Sequence, residues 1–111
     1  IAKEEIKDKQ GVLLENESGK LMISKETIEN LVNSVAKGFE STEDVITRVE
    51  LDKDNNVKVY ANLVVSSNAI IKDLSAKLQT SIKDKIKKAT DLEVNEVNIT
   101  IKKVAENQQE A

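Results

Sequence analysis

One long run of the chain has apolar side chains at every third or fourth position. The run covers residues 68–90 and contains neither glycine nor proline. This spacing places the apolar side chains in an arc of roughly 160° on one side of an α-helix, wide enough to cover a sheet. The apolar positions are Ile70, Ile71, Leu74, Leu78, Ile82, Ile86 and Ala89. We therefore predict a helix about 30 Å long whose apolar face packs on a β-sheet.

A shorter amphipathic helix is predicted earlier in the chain. Ser24 suits its N-cap, and Glu26 in the first turn favours the positive end of the helix dipole. Apolar residues continue at helical spacing as far as Phe39, and Gly38 suits the C-terminal end. The Ser-Ser-Asn sequence at 66–68 is expected to cap the long helix in turn.

Three segments alternate between apolar and polar side chains, as strands with one buried face do. They are residues 45–51, 57–65 and 97–101, and the turn sequence DKDNN joins the first two into a predicted hairpin. Residues 21–23 are predicted as a further short strand, and residues 12–14 as an optional one. The resulting β-α-β-β-α-β order predicts an α+β fold. We expect a two-layer sandwich, with two helices on one face of a mostly antiparallel sheet and a split βαβ topology as the default.

Residues 1–10 are charged and only weakly amphipathic, as linkers are. We interpret residues 1–18 as a charged N-terminal linker containing the optional short strand, residues 19–104 as the α+β domain, and residues 105–111 as a polar tail. Since the sequence begins with Ile1 rather than Met, we expect it to be a piece of a longer protein, in which a membrane segment can lie upstream.

The composition argues against catalysis and against nucleic-acid binding. The chain has no histidine and no cysteine, so it lacks the commonest general base, the commonest metal ligand and any thiolate. Its net charge is −3 and only Phe39 and Tyr60 are aromatic, which leaves little for base stacking. We expect no catalytic residue, no cofactor, no metal site and no nucleic-acid partner.

Two other patterns have a functional and a structural interpretation. Asp52, Asp54 and Asn56 match the opening of an EF-hand loop, but Val57 and Leu63 stand where that motif needs glycine and glutamate. A simple hairpin turn explains them better. Lysines along the long helix could bind phosphates or an anionic membrane, although a solvated helix face explains them more simply. These lysines are Lys72, Lys77, Lys83, Lys85, Lys87 and Lys88.

The outward side of the predicted hairpin is the candidate partner surface. If the alternate residues of 57–65 pack under the helices, an aromatic and two aliphatic side chains point the other way among polar ones. An aromatic residue flanked by aliphatics on an open sheet is a common basis for protein recognition. The predicted partner-binding residues are Ile46, Arg48, Lys58, Tyr60, Asn62 and Val64. Strand addition at an uncovered sheet edge is a second route.

Residues 12–104 resemble the alkaline shock protein family of Gram-positive bacteria. The resemblance is clearest where the long helix ends in Thr90, Asp91, Leu92, Glu93 and Val94 and the strand sequence VNEVNITI follows. The family usually has glycine where Asp91 stands. The short linker between the first helix and the hairpin is most similar to that of the family's membrane-anchor member.

The resemblance implies a role in cell-envelope stress. It implies a non-enzymatic scaffold domain on the cytoplasmic side of a membrane anchor. The implied partner is the soluble alkaline shock family protein, a second copy of this chain, or both, and contact with the membrane would be made only through an upstream segment. The alternative function is a small nucleic-acid or phosphate-binding module, which rests on fold analogy alone.

Overall fold

A computed structural model describes residues 10–106 of the chain, and the predicted elements occur in the predicted order. Residues 1–9 of the predicted linker and residues 107–111 of the predicted tail lie outside the described residues. The elements are β1 (Gly11–Asn16), β2 (Gly19–Ser24), α1 (Lys25–Lys37), β3 (Thr42–Leu51), β4 (Val57–Val65), α2 (Ile71–Thr90) and β5 (Val94–Val104). The α+β class is confirmed.

The strands form two sheets, and their order differs from the split βαβ default. β1 and β2 pair only with each other, in a two-stranded antiparallel sheet. The other sheet has the order β3-β4-β5, with β3 and β4 antiparallel and β4 and β5 parallel. β4, α2 and β5 therefore form a plain βαβ unit with adjacent parallel strands. A two-residue turn joins β1 to β2 and closes their antiparallel pairing at little entropic cost.

The core lies between the helices and one face of the three-stranded sheet. Every second residue of β4 is fully buried, whereas the intervening residues are half-buried. α1 lies against β3 and α2 against β5, and the two helices also contact each other. The buried residues of helices and strands belong to one hydrophobic cluster. Both helices therefore cover the same face of the sheet, as predicted.

The buried side of α2 is narrower than the sequence predicted. Its buried residues recur every fourth position and are Leu74, Leu78, Ile82 and Ile86. Ile70 is 68% exposed, and Ile71 and Ala89 are also exposed. A sheet of three strands leaves room for one stripe of α2 because α1 occupies the space beside it. The predicted apolar face therefore included residues at both ends of the helix that are not buried.

The two helices begin differently. The Ser24 hydroxyl accepts the Thr27 N–H at 3.0 Å, which confirms the predicted N-cap of α1. Ile70 occupies the N-cap of α2 and makes no side-chain capping bond. The Ser66 hydroxyl instead donates to Asn68 Oδ1 at 2.7 Å within a local turn. The predicted Ser-Ser-Asn cap of α2 was therefore wrong, because this turn uses its polar groups before the helix begins.

The C-terminal end of α2 has a backbone conformation that suits the glycine which the resemblance led us to expect at position 91. Asp91 adopts a left-handed conformation with φ of 65°, and its N–H donates to the Lys87 carbonyl at 2.8 Å. Glycine adopts this conformation without steric cost, and asparagine and aspartate tolerate it better than other residues do. Asp91 also places a negative charge at the negative end of the helix dipole, close to Lys87 at 3.5 Å. Aspartate is thus a tolerated departure from glycine.

We expect the Asp91→Gly variant to be about 1 kcal/mol more stable than Asp91→Ala, because alanine has a Cβ and no polar group to ease the left-handed conformation. Urea unfolding measures both free energies. The Asp91→Asn variant removes the charge while keeping the shape, so it separates the dipole effect from the backbone effect. Equal stabilities for the glycine and alanine variants would contradict the role assigned to φ.

Candidate partner-binding surface

The outer face of the three-stranded sheet brings together all six predicted partner-binding residues. Arg48 lies opposite Tyr60, and Ile46 lies opposite Asn62, in the antiparallel register of β3 and β4. Lys58 and Val64 lie at the two ends of the same side of β4. This face is opposite to the helices, and no element of residues 10–106 covers it.

The centre of the outer face is a stacked group of three side chains. The Arg48 guanidinium lies 4.4 Å from the centroid of the Tyr60 ring. Glu50 forms an ion pair with Arg48, and its carboxylate accepts a hydrogen bond from the Tyr60 hydroxyl at 3.4 Å. An exposed cation–π contact stabilises by about 0.5–1 kcal/mol, so these contacts bias the tyrosine and arginine toward one arrangement. Such an arrangement lowers the entropy lost when a partner binds.

Two aliphatic side chains lie next to this stacked group, both on the same side of it. The Ile46 side chain is 63% exposed. Val64 is the next outward residue of β4 after Asn62, which lies opposite Ile46, and it lines an open depression of about 520 Å³ together with Lys103, Ala105 and the charged side chains of Glu43 and Glu106. Tyrosine and arginine beside aliphatic groups are the residues enriched at the centres of protein interfaces. The composition of this face is therefore that of a protein-interface centre.

The sequence analysis missed the contribution of the last strand to this face. β5 lies beside β4 and places Glu96 next to Lys58 and Asn98 next to Tyr60. The Asn98 amide donates to Glu96 at 3.1 Å and to the Val59 carbonyl at 3.4 Å. These bonds fix the side chains of β5 at the edge of the outer face. The polar positions of the last strand were visible in the sequence. Their neighbours were not, because strand order depends on the crossover of α2.

The lysines of α2 are exposed, and two of them already have acidic partners. Lys87 Nζ lies 2.7 Å from Glu93, and this hydrogen bond raises the pKa of the Lys87 ammonium. Lys88 pairs with Asp84 at 3.2 Å. These pairs divide the positive charge of the helix into separate positions, so the geometry gives no particular support to phosphate binding.

The aspartates that mimic an EF-hand serve the turn between β3 and β4. Asp52 Oδ1 accepts the N–H groups of Asp54 at 2.8 Å and Asn56 at 3.0 Å, and Oδ2 accepts the Asn56 amide at 2.8 Å. The bond from the Asn56 side chain is the main cause of a lowered pKa for the Asp52 carboxyl. Residues 10–106 contain no group of three or more acidic side chains that could hold a metal ion.

We expect Asp52→Ala to lower the melting temperature at pH 7, because the turn loses three hydrogen bonds. The pKa of Asp52 is lower in the folded than in the unfolded state. Its contribution is therefore complete above about pH 4 and is lost as the pH falls through the folded-state pKa. Thermal melts from pH 7 to pH 2 should show wild type and variant converging in acid.

The matched control for this test is Asp54→Ala, which removes a carboxylate from the same loop. We expect that variant to keep the melting temperature of the wild type at pH 7 more closely than Asp52→Ala does. An Asp52→Ala deficit that persists unchanged at pH 2 would count against the carboxylate as its cause.

The helices of residues 10–106 include none that is both long and apolar enough to span a membrane.

The fold and its outer face define a class of protein: a small α+β domain whose distinctive surface is an open sheet. The model of the alkaline shock protein family, described as having a cell envelope-related function, matches residues 11–106. The chain therefore belongs to the alkaline shock protein family, which is not a known enzyme family. Neither the curated proteins nor the solved structures gave a match to the chain.

Proposed function

We propose that this domain is a non-enzymatic interaction module that binds the soluble member of the alkaline shock protein family through the outer face of its three-stranded sheet. The observation that carries the proposal is the stacked group of Arg48, Tyr60 and Glu50, with the exposed Ile46 and the depression at Val64 next to it on one side. The domain supplies an aromatic side chain with two aliphatic neighbours on a face that its helices leave open.

The charge pattern of this face suits a specific protein partner. Arg48 and Glu50 are oppositely charged neighbours on the outer side of β3 and form an ion pair. Lys58 of β4 and Glu96 of β5 lie 4.0 Å apart. Exposed ion pairs of this kind add little stability to the fold. They can instead reorganise around complementary charges of a partner and so select the register of the complex.

We further propose that the domain is the cytoplasmic part of a membrane anchor similar to AmaP, the membrane-anchor member of the family. Support comes from the family's cell envelope-related function and from the short connection between α1 and β3, which spans residues 38–41. In this arrangement an upstream segment holds the domain at the membrane, and the outer sheet face recruits the soluble family protein there. The stress response of the envelope is the process that such recruitment would serve.

We expect the double variant Tyr60→Ala, Val64→Asp to lose at least tenfold in affinity for the soluble family protein, since the first change removes the aromatic centre and the second adds a charge beside the depression. Isothermal titration or a quantitative pull-down measures the loss. The matched control is Ile70→Asp, which changes an apolar residue that is 68% exposed and belongs to the start of α2.

Both variants must retain the circular dichroism spectrum and cooperative melt of the wild type before their affinities are compared. If a folded double variant still binds with wild-type affinity, or if the Ile70 variant loses as much affinity, the outer face is not the binding surface.

We expect the full-length protein to sediment with membranes and to be released by detergent but not by high salt, because an apolar anchor is insensitive to ionic strength. Membrane fractionation followed by immunoblotting measures this distribution. Release by high salt alone would indicate surface attachment, and recovery in the soluble fraction would contradict the anchor. Neither result bears on the sheet-face interaction, which the affinity measurements test separately.

A further inference from the structure

The β1–β2 hairpin is only partly packed into the domain. Val12 and Ile23 are buried in the core at one end of the hairpin. Toward the turn, Leu21 is 56% exposed and Met22 is 60% exposed, on opposite faces of β2. A two-stranded sheet is marginally stable in water by itself. The hairpin thus presents apolar side chains and unpaired backbone groups together.

The edges of the larger sheet are protected by helix side chains. Glu29 of α1 accepts the N–H of Val49 on β3 at 2.9 Å, and Gln79 of α2 donates to the Val97 carbonyl on β5 at 3.0 Å. Both edge strands also contain register irregularities in their pairing with β4. Bulges and covering groups of this kind prevent a sheet edge from pairing with another chain.

The hairpin lacks these protective features. Its register runs without a shift from Gly11 opposite Ser24 to Asn16 opposite Gly19. Within residues 10–106, no helix side chain from Glu26 onward forms a hydrogen bond to the backbone of β1 or β2. The charges of its two strands, Glu15 and Lys20, lie opposite each other at 4.0 Å. Among the described residues, helix side chains thus cover the edges of the three-stranded sheet and leave those of the hairpin uncovered.

We propose that β2 pairs in antiparallel fashion with β2 of a second copy, about a two-fold axis at Met22. β2 is the edge chosen because Gly19 to Met22 are all exposed, whereas β1 packs Val12 and Leu14 on the core. Directly opposed residues of an antiparallel pair share one face. With Met22 opposite Met22, Leu21 lies opposite Ile23 of the other copy and Lys20 lies opposite Ser24.

This register makes the strand complementary to itself. Aliphatic side chains oppose aliphatic side chains on both faces, and each Lys20 meets a neutral hydroxyl rather than another ammonium. Leu21, half exposed in one copy, extends the buried edge of the core that ends at Ile23 in the other. Like charges do not oppose each other in any of these pairs, which favours a second copy over an arbitrary strand.

The dimer is expected to be weak. A single strand edge with a few half-exposed aliphatic side chains contributes far less than the ~800 Å² per partner of a stable interface. A substantial fraction of the chains therefore pairs only where many copies are held close together, because a high effective concentration then compensates for the low affinity. This self-association uses a different surface from the outer sheet face and does not depend on the proposed function.

A cross-linking experiment tests the register directly, because the chain contains no cysteine. Opposed Cβ atoms of an antiparallel pair lie about 4.5–5.5 Å apart, within reach of a disulfide after small adjustments. We expect Met22→Cys to give a disulfide-linked dimer on mild oxidation at high protein concentration. The matched control is Leu13→Cys, which lies opposite Met22 within one hairpin and is 45% exposed.

In the proposed dimer the two Leu13 positions are separated by two further strands, a distance of about 14 Å at the usual spacing between strands. Leu13→Cys should therefore cross-link at least fivefold less than Met22→Cys. Similar yields from the two variants, or no dimer from Met22→Cys, would overturn the proposal.

Sedimentation equilibrium on the unmodified chain provides a second readout. We expect the average mass to rise with concentration, and Met22→Lys to abolish the rise by placing two ammonium groups opposite each other. Ile70→Lys should leave the rise unchanged, since Ile70 lies at the start of α2 rather than on the hairpin. A wild type that stays monomeric, or a dimer that Met22→Lys does not affect, would refute this pairing.

Discussion

The packing of α1 and α2 on the inner face of the three-stranded sheet is the contact on which the rest of the structure depends. β4 is the central strand, and its inward side chains are fully buried beneath the helices. α2 presents one residue per turn to this face, from Leu74 to Ile86. Because α2 connects β4 to β5, the same packing also forces the last strand to lie parallel beside β4. The two helices thus set the core, and the connection through α2 sets the strand order.

The outer face is a consequence of this arrangement. Both helices lie on the inner side of the sheet, so the side chains of the outer face are not covered by any other element of the described residues. Arg48, Tyr60 and Glu50 partly satisfy one another there through stacking, an ion pair and a hydrogen bond. A surface that is ordered by its own contacts and still accessible is well suited to recognition, because little conformational entropy is lost on binding.

The two sheets of the domain differ in how their edges are treated. Polar side chains from the helices, Glu29 and Gln79, occupy backbone groups at the edges of the larger sheet. The hairpin is held by the burial of Val12 and Ile23 and receives no such cover within the described residues. The domain therefore has two accessible surfaces of different kinds, an open sheet face and an open strand edge, which need not compete for the same partner.

Hydrophobic periodicity alone determined most of the local structure. The alternation in 57–65 predicted β4 to the residue, and Ser24 and Gly38 marked the ends of α1, because these signals depend on near neighbours in the chain. Only the tertiary structure decided the strand order, the narrow buried stripe of α2 that leaves Ile70 and Ala89 in water, and the place of Glu96 and Asn98 beside Lys58 and Tyr60. The physical reason is that each of these depends on which distant segments compete for one sheet face, and a periodic pattern specifies how much surface must be buried without specifying what buries it.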